Sequence, residues 1–300
     1  MSNPDPLRST DVLHRFLIEG AGVRGVLVRM NESWEAIRDA AAYPLPIAIL
    51  LGETAVASSL FGGHTKIEGG VSVQLKGHQA LRTLFAEYRA PGLLRGIAHW
   101  HEPLPDTLTL RSVSEGAVLA ITLESPTPGQ REPTRYQGLV GLDTDTLAHA
   151  FEQYFTQSEQ LPTRMLFSVQ GDIAAGILLQ TLPGSNLDPD GWTRVQALFD
   201  TLTPQELRED EPATLLYRLF HEDGVRVLGE QSLRFECTCS RERVGRMLIG
   251  LGEAEALAAI QDDAAEITCE FCNSRYRFDR IDMTQLFAGG GAVPPSPTAQ

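Results

Sequence analysis

The sequence predicts an α+β protein: a large, mostly antiparallel sheet with helices, followed by a helical linker and a small C-terminal unit organised by four cysteines. Three observations lead there. Period-two apolar alternation recurs between Val12 and Leu182. A turn-rich run from Pro183 to Gly191 interrupts it. All four cysteines of the chain then fall within the 36 residues from Cys237 to Cys272.

Taken in order, residues 22–29 and 66–75 alternate apolar and polar side chains as half-buried strands do. Further strands are expected at 81–88, 117–123, 135–141 and 165–169, separated by turns near Pro91-Gly92 and at 126–129. Helices are expected at 31–41, 45–60 and 146–158. In the last of these Leu147, Phe151, Tyr154 and Phe155 form an apolar stripe at helical spacing, read as core packing. Together these elements make a core domain of residues 1–182.

The linker is residues 183–232. Trp192, Val195, Leu198, Phe199 and Leu202 follow a helical repeat, and Thr203-Pro-Gln-Glu206 is a capping box with proline at the first helical position, so two helices are expected. Ten acidic residues against four arginines give this segment a balance of −6, yet it carries Leu215, Leu216, Leu219 and Phe220. By composition the segment reads first as a connector docked on the main domain, and second as a conditionally folded stretch whose apolar face becomes exposed. Residues 288–300, with Gly289-Gly-Gly291 and three prolines, read as a disordered tail.

Composition narrows the function classes. With 39 acidic residues against 25 Lys and Arg, the net charge of −14 repels a phosphate backbone, so nucleic acid is excluded as a partner. The most apolar stretch, 43–51, is broken by Pro44 and Pro46 and runs into Glu53, which makes it a buried helix and not a membrane span. The first eleven residues lack the basic start and apolar centre of a secretory signal, so a cytoplasmic protein with reduced thiols is expected.

The cysteines form a Cys-x-Cys pair, 29 intervening residues and a Cys-x-x-Cys pair. Two close pairs brought together supply the tetrahedral sulfur set that zinc prefers, and no histidine follows His221, so Cys237, Cys239, Cys269 and Cys272 are assigned as the ligands of one zinc ion. The zinc unit is residues 233–287. Ser240 is placed to cap a helix with Val244, Met247, Leu248 and Leu251 inward, and Cys269-Glu-Phe-Cys272 to form a knuckle before Tyr276 and Phe278. An inert zinc ribbon is one reading. Against it, a disulfide closed across a single residue is a cramped, reducible bond of the kind a reversible switch uses.

Cys237-Thr-Cys-Ser-Arg-Glu-Arg243, with Cys269-Glu-Phe-Cys272, Tyr276 and Phe278, resembles the heat shock protein 33 family of redox-regulated chaperones. The resemblance extends through Arg15-Phe-Leu-Ile-Glu19, Val23-Arg-Gly25, Val73-Gln-Leu-Lys-Gly77, Tyr136-Gln-Gly-Leu-Val-Gly141, residues 154–163 and Ala174 to Pro183, leaving the tail and residues 92–133 without a clear match. It implies an ATP-independent holdase, not an enzyme. Such a protein is reduced, zinc-bound and quiet until oxidants acting with heat eject the metal. It further implies that Cys269 bonds Cys272 first and Cys237 then bonds Cys239, that residues 183–232 lose their order and bind unfolded clients, that the active form is a homodimer, and that clients pass to ATP-driven foldases. On this point the resemblance outweighs composition, and the linker is read as metastable.

Two other readings remain: a constitutive structural-zinc protein and a thiol-disulfide oxidoreductase, although the latter places Cys-x-x-Cys at a helix start beside a thioredoxin-like sheet. A zinc hydrolase needs an open coordination position, which four cysteines do not leave. His99, His101 and the Gly62-Gly-His64 run lack the context of a metal or phosphate site and are read as structural.

Overall fold

The computed structural model describes residues 11–288 apart from 66–67, 78–79, 105–107, 114, 128, 130–132 and 184–187. The chain start, the expected disordered tail beyond Ala288, the first two residues of the expected strand at 66–75, and parts of the expected turns at 126–129 and 183–191 therefore lie outside the described residues. The chain forms two compact units, one up to Glu236 and one from Cys237.

The first unit runs β1 (Val12–Ile18), β2 (Val23–Met30), α1 (Glu32–Arg38), α2 (Leu45–Thr65), β3 (Gly70–Lys76), β4 (Leu81–Arg89), β5 (Leu93–Trp100), β6 (Val118–Ser125), β7 (Thr134–Val140), α3 (Leu147–Gln157), β8 (Thr163–Gln170), β9 (Ile173–Thr181), α4 (Gly191–Phe199), α5 (Pro204–Glu209), α6 (Pro212–Phe220), β10 (Val225–Ser232) and β11 (Arg234–Phe235). The α+β class holds. The single large sheet that alternation suggested is instead two, because alternation shows which residues face a core and not which strands are neighbours. One sheet has the order β10-β1-β2-β9-β8, the other β11-β5-β4-β3-β6-β7; among the described residues the β11–β5 pairing is parallel and the others are antiparallel.

Helix α2 packs against strands of both sheets. Its small residues allow that close approach. A Cβ on Gly62 would sit 2.2 Å from the Tyr88 ring, and one on Gly63 would sit 2.5 Å from Leu13, so this glycine pair is a packing device. The helix is long and apolar enough to cross a membrane by composition, and 78% of its most apolar window is buried within the fold.

Strands β2 and β9 are buried on both faces. Val26, Val28, Ala174 and Leu178 join the core around α2. Leu27, Ala175, Ile177 and Leu179 point the other way and join Phe16, Val195, Phe199, Leu207, Leu215, Leu216 and Phe220 in a second core. The segment after Pro183 is thus a covering layer on the five-stranded sheet. Its described residues form three α-helices and a strand where two helices were expected, since β10 extends the sheet beside β1. The expected capping box of α5 is present: Glu206 N donates to Thr203 Oγ1 at 3.2 Å, and Thr203 N donates to Glu206 Oε2 at 2.8 Å. Polar ties supplement the apolar contact, with Arg29 Nη2 donating to Leu207 O at 3.1 Å and Arg208 reaching Ser168 and Gln170 of β8.

The second unit contains α7 (Arg241–Leu251), α8 (Glu253–Ala258), the antiparallel pair β12 (Ala264–Thr268) and β13 (Arg275–Asp279), and α9 (Arg280–Ala288). Among the described residues its core is a cluster of six buried apolar side chains, Leu248, Ala256, Ala265, Phe278, Met283 and Leu286. Two inward residues expected on α7 are corrected here. Val244 and Leu248 do face the core, but Met247 and Leu251 are 48% and 54% exposed. The buried stripe runs through Arg241, Gly245 and Leu248, a narrower face than four apolar residues implied.

Candidate metal centre

Two local turns deliver the four sulfurs. After Cys237-Thr-Cys239, Ser240 caps α7 by accepting from Arg243 N at 3.2 Å, and Arg243 Nη1 turns back to Thr238 Oγ1 at 2.9 Å. The second pair lies in the turn between β12 and β13. Cys269 N donates to Ser274 O at 2.9 Å, and Asn273 N and Cys272 N donate to Cys269 O at 2.8 and 3.4 Å. Asn273 has φ +56, a left-handed conformation that asparagine tolerates and that closes the knuckle. The Cys-x-x-Cys pair is therefore in a hairpin turn and not at a helix start.

The four Sγ atoms all lie within 4.8 Å of one another, and each cysteine is half-buried. Cys237 Sγ is 3.6 Å from Cys269 Sγ, and Cys239 Sγ is 3.3 Å from Cys272 Sγ. A disulfide would need about 2.05 Å. Four sulfurs on a tetrahedron around zinc, each about 2.3 Å from the metal, stand about 3.8 Å apart. The donor set and its spacing fit a four-coordinate thiophilic ion, with one sulfur of each pair close to one of the other.

The thiols differ in their surroundings. Burial pushes the Cys237 and Cys269 thiols up. Burial also acts on Cys272, but hydrogen bonds from Ser274 outweigh it and bring that thiol down to about 7; its Sγ lies 3.2 Å from Ser274 Oγ. Tyr276 Oη donates to Cys239 Sγ at 3.0 Å, and this bond, with burial, raises the tyrosine above its usual range.

Arg241 secures the frame. Its guanidinium lies 4.2 Å from the centre of the Phe278 ring, its Nη1 donates to Arg277 O at 2.5 Å, and its Nη2 is 2.8 Å from Asp282 Oδ2. The α7 start is thereby fastened to β13 and α9. Sequence reading did not find this clamp, because an arginine following an N-cap carries no signal that it will be buried.

The other residues weighed from sequence belong to the first unit and bring no cluster together. His99 lies on β5 and His101 just beyond it. His64 lies in the last turn of α2 with Nε2 2.8 Å from Gln180 Oε1, and burial lowers it to about 4, leaving it neutral.

Comparison with known proteins agrees with this geometry. The family described as Hsp33 protein matches residues 11–279. A 33 kDa chaperonin of Pseudomonas fluorescens strain Pf0-1 is 41% identical over 96% of this chain and 97% of its own. One from Ectopseudomonas mendocina is 42% identical over 96% and 99%, and one from Shewanella sp. strain W3-18-1 is 40% identical over 93% and 96%. The fold matches the crystal structure of a 33 kDa chaperonin, a heat shock protein 33 homologue from Thermotoga maritima. Its TM-score is 0.78 at 21% identity, covering 94% of this chain and 99% of that one. With the family matched across both units and four sulfurs gathered at metal-site spacing, this chain belongs to the Hsp33 family.

Proposed function

We propose that this chain is a redox-gated, ATP-independent chaperone of the holdase type. Reduced and zinc-loaded it is quiet, and oxidation of its cysteines opens an apolar surface to unfolding proteins. The observation that carries this reading is the convergence of four half-buried sulfurs in a unit whose hydrophobic core, among the described residues, is a cluster of six buried apolar side chains. Bound zinc supplies the missing cross-link, a contribution on the order of 10 to 16 kcal/mol in small metal domains.

Cys237, Cys239, Cys269 and Cys272 hold the ion as thiolates. Oxidation joins Cys269 to Cys272 and then Cys237 to Cys239, each pair giving two electrons to the oxidant, and the unit loses the donor set that organised it. The chain runs from β10 through β11 and Glu236 directly into Cys237, so disorder in the second unit starts at the end of the covering layer. Release of residues 183–232 would expose Phe199, Leu216 and Phe220 on one side, and Phe16, Leu27 and Ile177 on the sheet beneath. The −6 balance of that layer limits self-association of the exposed form.

Binding, not catalysis, is the activity in this reading. Four free thiols suit a reducing compartment, the cytoplasm. A homodimeric active form and transfer of clients to ATP-driven foldases follow from the family resemblance.

The test treats reduced, zinc-loaded protein with hydrogen peroxide at elevated temperature, following zinc release with a chromogenic chelator and aggregation of a heat-denatured protein in the same sample. One zinc released per chain together with new suppression of aggregation is expected. Equal suppression by the reduced and oxidised forms would refute the gating.

A further inference from the structure

Two arginines of the five-stranded sheet hold the covering layer by its helix ends. Helix α4 ends at Phe199 with Asp200 as its C-cap, and α5 ends at Glu209 with Asp210 as its C-cap. Arg164 of β8 donates through Nη2 to Asp200 Oδ1, and its guanidinium carbon lies 5.5 Å from the centre of the Phe199 ring. Arg29 of β2 donates through Nη2 to Leu207 O at 3.1 Å and to Asp210 O, and the carboxylates of Asp210 and Glu211 act on its charge. The last carbonyls of a helix lack partners within it and carry the negative end of its dipole, so an acidic helix end and a guanidinium complement each other.

When the layer leaves, these acceptors leave with it and the guanidiniums stay on the sheet. Arg29 follows Leu27 by two residues and Arg164 precedes Leu166 by two, so strand alternation puts each beside an apolar side chain of the uncovered face. Arg29 Nε and Arg164 Nε are buried and make no hydrogen bond among the described residues. Glu152 Oε1 remains 3.7 Å from Arg164 Nε, but it already accepts from Met165 N at 2.6 Å. The layer's own cation at this face, Arg208, turns to the neutral Ser168 and Gln170. A charge on a poorly solvated apolar surface gains more from an opposite charge than one in open water does. The uncovered face is thus an apolar surface with two positions that favour an anion.

We infer that Arg29 and Arg164 select among client segments: the uncovered sheet face takes apolar segments that end in Asp or Glu, in preference to the same segments with neutral or basic ends. The layer itself shows the recognition. In Phe199-Asp200 the ring lies against the Arg164 guanidinium while the carboxylate accepts from its Nη2, and at Leu207 to Asp210 the Arg29 guanidinium closes the end of an apolar turn. Apolar contact alone is non-directional and supplies affinity without choice. Fixed charges at the edge of such a surface supply the choice, because a basic end would meet a like charge and a neutral end would leave a guanidinium unpaired. This inference rests on the proposed release of the layer.

The test uses the oxidised full-length chain and two fluorescently labelled amphipathic peptides of identical apolar sequence, one ending in aspartates and the other in asparagines, with binding read by anisotropy. The aspartate peptide should bind about tenfold tighter, the effect of one hydrogen bond to a charged group. Arg29→Gln and Arg164→Gln should each reduce that preference by about threefold or more while the affinity for the asparagine peptide stays as it was. Arg111→Gln removes an exposed positive charge elsewhere on the first unit and should leave the preference intact, which separates the effect of the face from that of the net charge of −14. Equal affinity of the wild-type chain for the two peptides, or an equal loss of preference in Arg111→Gln, overturns the inference. Binding of neither peptide overturns it as well. An environment-sensitive apolar dye in the same sample then tells the two readings apart, since an open apolar face leaves the proposed gating standing and a closed one refutes the gating too.

Discussion

Arg241 and Asp282 form an ion pair at 2.8 Å with side chains only 7% and 17% exposed, and the same guanidinium covers the Phe278 ring. A pair so shielded is costly to break, because removing one partner strands the other charge in a poorly solvated place. Arg241→Ala is expected to destabilise the second unit by about 3 kcal/mol. Hydrogen exchange in zinc-loaded protein should show lost protection in β12 and β13 with α4 to α6 unchanged. Arg241→Lys should not restore it, since an ammonium cannot stack on the ring and reach both the Arg277 carbonyl and Asp282.

Replacing Cys269 and Cys272 with serine removes half of the sulfur set. Zinc stoichiometry measured at micromolar metal is expected to fall from one per chain to near zero. Limited proteolysis should then cut within the second unit. This variant should also suppress aggregation without oxidant, and a quiet, protease-resistant variant would contradict the switch.

Phe220 is fully buried between the covering layer and the five-stranded sheet. Phe220→Ala is expected to weaken docking of that layer by about 3 to 5 kcal/mol. Binding of an environment-sensitive apolar dye to the reduced, zinc-loaded protein should rise, together with some aggregation suppression.

Burial raises Glu53 to about 7 and lowers His64 to about 4. The Glu53 contribution is fully present below its unfolded value near 4.5 and is lost as pH rises toward 7. The His64 contribution is present above about 6.5 and is lost as pH falls toward 4. The two slopes oppose each other in the same window. Glu53→Gln should therefore gain stability over wild type by about 1.4 kcal/mol per pH unit between 4.5 and 7. Trp34, Trp100 and Trp192 all lie in the first unit, so denaturation followed by tryptophan fluorescence reads this directly. A pH-independent difference would contradict it.

The cysteine site was legible because ligand chemistry is local: two pairs at fixed spacing can be recognised without knowing the fold. Strands with clean alternation, such as β3 and β4, were also visible. Strand β5 was not, because Arg95, Gly96 and His99 interrupt its apolar pattern, and neither was β10, whose exposed edge carries Arg226, Glu230 and Gln231. The division into two sheets and the covering role of residues 191–220 depend on pairings between segments far apart in sequence, as in β1 with β10. The Tyr276 position could be read from period-two alternation with Phe278, but its contact with sulfur depends on where the Cys-x-Cys turn comes to rest.

Strand β11 is two residues long, and its backbone is tied to the six-stranded sheet by Arg234 N to Gly92 O and Glu236 N to Leu94 O, each 2.9 Å. Residues on either side of this short stretch belong to much longer runs of structure. Under load, whether from heat or from a tug on the chain beyond Cys237, these bonds act as a fuse. The tether is expected to part where it is thinnest, leaving the other five strands of the six-stranded sheet as the template on which it can re-form.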